Sequence, residues 1–362
     1  MKILCVVGAR PNFMKIAPLL GEMSHYPQIR PILVHTGQHY DPEMSDVFFR
    51  DLEIPPPDLH LGVGSGTQAE QTGKVMVAFE AVLEKEGADL VLVVGDVNST
   101  LACSVVSAKK GIAVAHVEAG LRSFDRSMPE EINRIVTDAL STYHFTTSRE
   151  ADQNLLREGA RKEGIFFVGN VMIDTLLRFS AKAESSPIRR DLGLNGEYAL
   201  LTLHRPSNVD QAEPLRRIFR ALEEVGKSLP ILFPAHPRTR KMLEEFGVST
   251  TQEGLRMVEP IGYLDFIHLE KHARLVLTDS GGIQEETTVL GVPCLTLREN
   301  TERPVTLTEG SNVLVGNSTE RILQEAARVM GERGGAKRVP ELWDGKASER
   351  IVARLRTIGG LA

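Results

Sequence analysis

Short apolar runs alternate with stretches of helical apolar spacing along almost the whole chain. A short apolar run bounded by turn residues reads as a buried strand, and apolar residues three or four apart read as one face of a helix. In the first half this predicts strands at 2–7, 31–35, 89–94, 112–117, 143–147 and 165–168. It predicts helices at 13–24, 68–86, 101–110, 130–140 and 149–158, with 8–12 as a loop and the proline-rich 54–58 as a turn. The second half repeats the plan without repeating the residues. Strands are expected at 198–203, 231–234, 255–258, 275–278 and 293–297, and helices at 213–227, 239–246, 263–271, 281–290, 319–330 and 347–357.

Strands that alternate with helices argue for a doubly wound α/β unit on a parallel sheet. A chain of 362 residues is long enough for two such units. Residues 181–195, rich in charge and small side chains, look like a linker. The expected division is 1–170, 171–345 and a last helix within 346–362. Ligands of open α/β sheets bind outside the carboxyl ends of the strands. Two such units in tandem would therefore face a cleft, and polar residues that follow apolar strands become candidates. Among them are Arg10, Gln38, His39, Asp96, Glu118, His204, His236, Ser280 and Arg298.

The most informative stretch is Leu275–Glu286, in which three apolar residues lead to Thr278, Asp279, Ser280, Gly281 and Gly282. A strand that hands over to a helix at Ser-Gly-Gly offers unpaired backbone N–H groups, a partial positive charge and room for an anion. Ser280, Gly281 and Gly282 are thus a candidate phosphate seat, against the plainer reading of a tight turn. Glu285 and Glu286 suit the helix dipole, and one of them could instead accept ribose hydroxyls.

In the first half, Arg10 and Lys15 are cations expected at the cleft mouth, suited to a diphosphate or else surface charge. The spacing around Gly8 is not a dinucleotide fingerprint, and the glycine-rich 62–67 reads as a connection. Asp96 and Glu118 end strongly apolar strands, with Glu130 close behind in sequence. Each alone would pass for a helix cap. As a cluster they raise one another's pKa, so that one holds a proton while another takes one. Arg122 and Arg134 would bind an anion or pair with these acids. His204 and His236 end strands of the second half, where a histidine serves as an acid/base group, a phosphate donor or a structural cap. Arg303 follows the strand at 293–297 and could reach back to the same edge.

Composition narrows the field. Net charge is −6, which gives no footprint for nucleic acid or an anionic membrane. The chain lacks an apolar run long enough to span a bilayer, and Met1–Val7 reads as a first strand rather than a signal peptide. Cys5, Cys103 and Cys294 are scattered in apolar contexts, which suggests a reducing cytoplasm rather than a disulfide framework. No pattern of His, Cys and acids shows metal-ligand spacing, so neither metal nor cofactor is expected.

Several of these stretches coincide in one known family. Gly8–Lys15, Gly95–Thr100, His116–Arg122, Pro129–Arg134, Leu203–Asn208, Asp279–Glu286 and Thr301–Pro304 together resemble the non-hydrolysing UDP-N-acetylglucosamine 2-epimerases, in the expected order over nearly the whole chain. The resemblance implies a two-domain glycosyltransferase-B-like fold, a homodimer, and a last helix folded back on the first domain. It implies interconversion of UDP-N-acetylglucosamine and UDP-N-acetylmannosamine without NAD or metal. UDP would be eliminated to leave a 2-acetamidoglucal and returned after C2 is reprotonated on the other face. Asp96, Glu118 and Glu130 supply the carboxylates that this chemistry needs, and of the three Asp96 is expected to be the one most directly engaged at C2. His204 acts on the leaving phosphate, and Arg10, Lys15, His204 and Arg303 hold the diphosphate. Ser280, Gly281 and Gly282 seat phosphate, Glu286 the ribose, and Phe266 stacks near uracil.

Two departures bear on detail. Gln38-His39-Tyr40-Asp41-Pro42-Glu43-Met44 is spaced more widely than the family stretch tied to a second, activating UDP-sugar. Ile261 stands where many members carry a polar residue near uracil. The Gly37–Asp41 variant is also similar to relatives acting on UDP-diacetamido-uronates, so the C3 and C6 substituents stay open. Competing readings are a glycosyltransferase of the same fold, a hydrolysing epimerase that releases UDP, and a nucleotide-sugar-binding regulator without catalysis.

Overall fold

The structure, a computed structural model, describes residues 1–38, 51–250, 253–331 and 338–361. It divides into two compact units: Met1–Arg178 together with Glu341–Ala362, and Phe179–Pro340. Among the described residues, the first unit is built on seven strands: β1 (Lys2–Val7), β2 (Arg30–His35), β3 (Leu59–His60), β4 (Leu90–Val94), β5 (Ala113–Ala119), β6 (Tyr143–Thr146) and β7 (Ile165–Phe167). They lie in the order β3-β2-β1-β4-β5-β6-β7, every pairing parallel. The central strands are apolar on both faces because helices cover both, and Leu4, Val6, Val91 and Val93 are essentially without solvent contact.

Among the described residues, the second unit has six strands: β8 (Ala199–Thr202), β9 (Ile231–Pro234), β10 (Leu255–Val258), β11 (Leu275–Thr278), β12 (Cys294–Thr296) and β13 (Asn312–Leu314). Their order is β10-β9-β8-β11-β12-β13, again all parallel. Both sheets reverse direction at one place, between β1 and β4 in the first and between β8 and β11 in the second. At such a reversal the crossing helices diverge to opposite faces and leave a crevice at the strand ends. The two-unit α/β architecture read from the alternation is the one observed.

Several boundaries differ from expectation. The first helix starts at Arg10, not Phe13. Pro11 has a backbone already set for a first helical turn, and Asn12 Oδ1 accepts from the Gly8 and Ala9 N–H groups at 3.0 Å each. The helix expected at 101–110 begins at Asn98, so the polar residues after β4 are its first turn. β3 and β13 were not foreseen, since two or three residues carry no period. The linker-like stretch is ordered structure: the helix Val171–Ala183 runs into it, Ile188–Asp191 adds a short helix, and Ile188, Leu192 and Leu194 pack on the core around Tyr198 and Leu200. Its apolar residues are diluted by charges in sequence but share one face.

The chain returns to the first unit at Glu341. Trp343 is buried and donates to the Thr147 carbonyl, and the Asp174 carboxylate accepts the Ala347 and Ser348 N–H groups that open the helix Ala347–Ile358. Among the described residues, no helix is long and apolar enough to cross a membrane.

Candidate active site

In the first unit the reversal between β1 and β4 brings together the loops at Gly8 and Gly95. A Cβ on Gly8 would meet Ser99 Oγ at 2.1 Å, so only glycine lets β1 end against the helix Asn98–Lys109. Asn12 spans the gap by donating to the Val94 carbonyl at 2.9 Å. Lys15, expected at a cleft mouth, is buried here, its Nζ 2.6 Å from Glu118 Oε2. Glu118 lies at a bulge of β5 with φ +74°, a left-handed conformation that a non-glycine residue adopts at some cost. The bulge turns its carboxylate toward Lys15 and the β4 loop. A Cβ on Gly95 would come within 2.8 Å of Lys15 Nζ, so the ammonium passes directly beneath that glycine.

Asp96, next along, is partly exposed and pairs with Arg134 Nη1. Arg134 also donates to Glu131 Oε2 at 2.7 and 3.0 Å. Glu131 in turn accepts the N–H groups of Ser123 and Phe124. The two neighbouring acids of the helix Pro129–Leu140 thus divide: Glu131 is a buried clamp, and Glu130 is half-buried in the first turn. Asn133 donates to the Asp96 carbonyl and to Asn98 Oδ1. Asn98 donates to Gln71 Oε1, and Gln71 donates to the Gln38 carbonyl. Gln38 Oε1 then accepts from Ser99 Oγ at 2.8 Å. This chain of amides ties the ends of β2, β4 and the helix Pro129–Leu140 together. Gln71 carried no signal in sequence, since it is one polar residue on a long helix. His39–Met44, the stretch tied to an activating sugar, lie outside the described residues.

Behind these groups sits a buried network. His116 Nε2 faces the Gly95 carbonyl at 2.8 Å and Nδ1 faces Asp138 Oδ1 at 2.6 Å, so the ring donates from both nitrogens. Asp138 also accepts the Gly120 N–H and pairs with Arg122 Nη2 at 2.8 Å. Burial would raise the Asp138 carboxyl, but the His116 charge and hydrogen bond, with Arg122 and His144, outweigh it and hold the group at about 2. Arg122 is therefore committed to Asp138 and Glu158 rather than to Glu130 or Glu131.

In the second unit the reversal between β8 and β11 places His204 beside Asp279. Asp279 is fully buried and accepts from the N–H groups of His204 and Arg205 and from Asn208 Nδ2. His204 Nδ1 stands 3.0 Å from Asp279 Oδ1, while its ring is half exposed. Burial opposes the Asp279 charge, but His204 and these donors keep its carboxyl below the usual range. Asp279 was read only as part of a turn; what it does is aim the His204 ring outward.

Ser280 begins the helix Gly281–Leu290. A Cβ on Gly281 would sit 2.4 Å from Arg303 Nη1, so the guanidinium lies flat against the helix tip. Arg303 is fixed there by Glu285, at 2.7 Å, and by Glu302, which also holds Arg298 at 2.6 Å and lies 3.8 Å from Arg205. Three guanidiniums thus share two carboxylates at the N-terminus of a helix, a site electrically suited to a polyanion. Glu285 and Glu286 have separate tasks. Glu286 accepts from the Tyr263 hydroxyl at 2.8 Å and lies beside the buried Glu270. Burial pushes the Glu286 carboxyl up to about 7, and burial beside Glu286 pushes Glu270 up as well. Phe266 and Ile261 are partly buried and pack against the core cluster that includes Tyr198, Leu200 and Val276. His236 caps the helix Pro237–Glu245, its Nδ1 accepting the Arg238 N–H.

Of the residues singled out in sequence, the structure joins Lys15 with Glu118, and it gathers Ser280, Gly281, Gly282 and Arg303 at one helix tip. His204 is linked to that tip through Asp279, and Glu286 lies one turn into the same helix. Arg10 stands at the start of the helix Arg10–Met23.

Residues 21–356 match the family model described as UDP-N-acetylglucosamine 2-epimerase. The chain is 44% identical over 368 residues to UDP-N-acetylglucosamine 2-epimerase of Methanocaldococcus jannaschii, covering 99% of this chain and 100% of that one. It is 42% identical over 335 residues to UDP-2,3-diacetamido-2,3-dideoxy-D-glucuronate 2-epimerase of Pseudomonas aeruginosa, covering 92% and 93%. The crystal structure of the M. jannaschii enzyme in complex with UDP-GlcNAc and UDP is similar at a TM-score of 0.92 and 43% identity, over 99% of this chain and 100% of that one. With the family model matched over most of its length and such relatives matched end to end, the chain belongs to the UDP-N-acetylglucosamine 2-epimerase family.

Proposed function

We propose that this protein reversibly interconverts UDP-N-acetylglucosamine and UDP-N-acetylmannosamine, as its M. jannaschii relative's name states for that enzyme's substrate. The observation that carries this reading is the Arg303 guanidinium laid against Gly281 at the start of a helix, a seat that can hold a diphosphate both as part of the substrate and after it has left the sugar. Ser280, Gly281, Gly282 and Arg303 bind phosphate in this reading, together with Arg10 and Lys15. Glu286 takes the ribose and Phe266 the uracil edge. His204, aimed by Asp279, assists departure and return of UDP. Asp96 acts at C2, and Glu118 and Glu130 complete the acid and base on the two faces of the sugar. The elimination breaks the C1–O bond and removes the C2 proton; re-addition restores both after protonation from the opposite face.

Three buried free thiols fit a reducing cytoplasm, and the product fits supply of cell-surface polysaccharide precursors. A homodimer is part of the same reading, checked by light scattering on the purified protein.

The test is incubation with UDP-N-acetylglucosamine in deuterated water, followed at C2 by NMR. Deuterium at C2 with UDP retained is the expected result. Free UDP accumulating with turnover would instead mark a hydrolysing epimerase, and binding without exchange a non-catalytic protein. The P. aeruginosa relative favours one second reading, a UDP-diacetamido-uronate substrate. Exchange confined to that sugar would select it.

A further inference from the structure

Helix Tyr263–Lys271 carries two histidines one turn apart, His268 within it and His272 at its end. Their rings lie 4.5 Å apart, centroid to centroid. His268 Nδ1 is 3.0 Å from the Ala183 carbonyl and His272 Nδ1 is 2.8 Å from the His268 carbonyl. A carbonyl only accepts, so each Nδ1 carries the proton, and a neutral ring so held presents its lone pair at Nε2. Backbone carbonyls fix metal-binding imidazoles in this tautomer. The third group is Glu184, just past the end of the helix Val171–Ala183, with Oε2 3.8 Å from His272 Nε2. One ligand atom from each of the three side chains lies within 4.8 Å of the others. Tetrahedral zinc with bonds near 2.1 Å separates its ligands by about 3.4 Å. Closing that difference asks for small rotations of Glu184 and His272, whose side chains are 42% and 31% exposed. The other Glu184 oxygen is engaged by Lys271, which leaves Oε2 for a metal.

We propose that Glu184, His268 and His272 form a site for a divalent transition-metal ion of the zinc and nickel class, with water completing the coordination. Two imidazoles and one carboxylate are the donor set such ions prefer over magnesium or calcium. Both histidines share the helix of Glu270, and Glu184 ends another helix, so a bound ion would pin the end of one helix onto the other. The role is structural and separate from the sugar chemistry.

The test titrates the full-length, tag-free, chelator-treated protein with zinc chloride by calorimetry. One equivalent is expected to bind, and His272→Ala and Glu184→Gln are each expected to weaken it at least about tenfold. Both positions are exposed enough to change without unfolding the protein, which circular dichroism checks; His268 is buried and is left intact. Bound zinc is also expected to raise the thermal midpoint of the wild type and not of His272→Ala. Absence of saturable binding up to about 1 mM zinc, or a site indifferent to both substitutions, would overturn the proposal.

Discussion

Lys15 and Glu118 form an almost fully buried ion pair, Nζ to Oε2 at 2.6 Å, with Glu118 held in a left-handed backbone conformation at the end of β5. The pair joins the first helix to a strand that lies two places away in the sheet from β1. Removing one partner of such a pair leaves a charge buried alone, which costs more than the pair contributes. Lys15→Met is expected to destabilise the protein by roughly 3–5 kcal/mol in urea unfolding. Lys15→Met combined with Glu118→Gln should recover part of that loss; a double variant as unstable as the sum of both singles would show that the two do not act together.

Asp96 is partly exposed and pairs with Arg134. Asp96→Asn is expected to abolish deuterium exchange at C2 while UDP affinity stays within about tenfold, about 1.4 kcal/mol. The fold should hold because Arg134 keeps Glu131. Normal exchange in the Asn variant would remove Asp96 from the proton chemistry.

Gly281 touches Arg303 so closely that a methyl group there must displace the guanidinium from its two carboxylates. Gly281→Ala is expected to weaken UDP binding by about tenfold or more in calorimetry. The thermal midpoint should fall as well, because the buried carboxylates of Glu285 and Glu302 lose the guanidinium that pairs with them. Unchanged UDP affinity would place the phosphate elsewhere.

Asp138 predicts a pH dependence with a definite sign. Its carboxyl sits at about 2 in the folded protein against an ordinary value of 3.8, so the folded state binds its proton more weakly than the unfolded state does. The stabilisation is complete above about pH 4 and is lost as pH falls toward about 2, on the order of 2 kcal/mol in all. In Asp138→Asn the slope of unfolding free energy over that window should flatten. An acid limb as steep as the wild type's would assign it to other carboxylates.

Much of this architecture is legible locally. The apolar runs at β1, β4 and β11 and the polar residues that end them can be read off directly, because strand and helix periods repeat within a few residues of one another. β3 and β13 escaped because they are too short to show a period, and the start of the first helix was misplaced because Pro11 punctuates loops and first turns alike. Glu130 and Glu131 look equivalent as adjacent acids, yet only the packing of Ser123 and Phe124 against the helix makes Glu131 a clamp.

What the chain determined alone was the alternation of elements, the apolar strands and the polar residues at their ends, since each depends on near neighbours. Which strand ends became neighbours was decided in three dimensions, where each sheet reverses between its first and fourth strands. So were the partners of the charged groups: Glu118 for Lys15, Asp279 for His204, Glu302 for Arg303, and Glu184 for the two histidines of a distant helix. A charge in the chain is compatible with many partners, and only the cost of leaving it unpaired once buried selects the one that packing brings within reach.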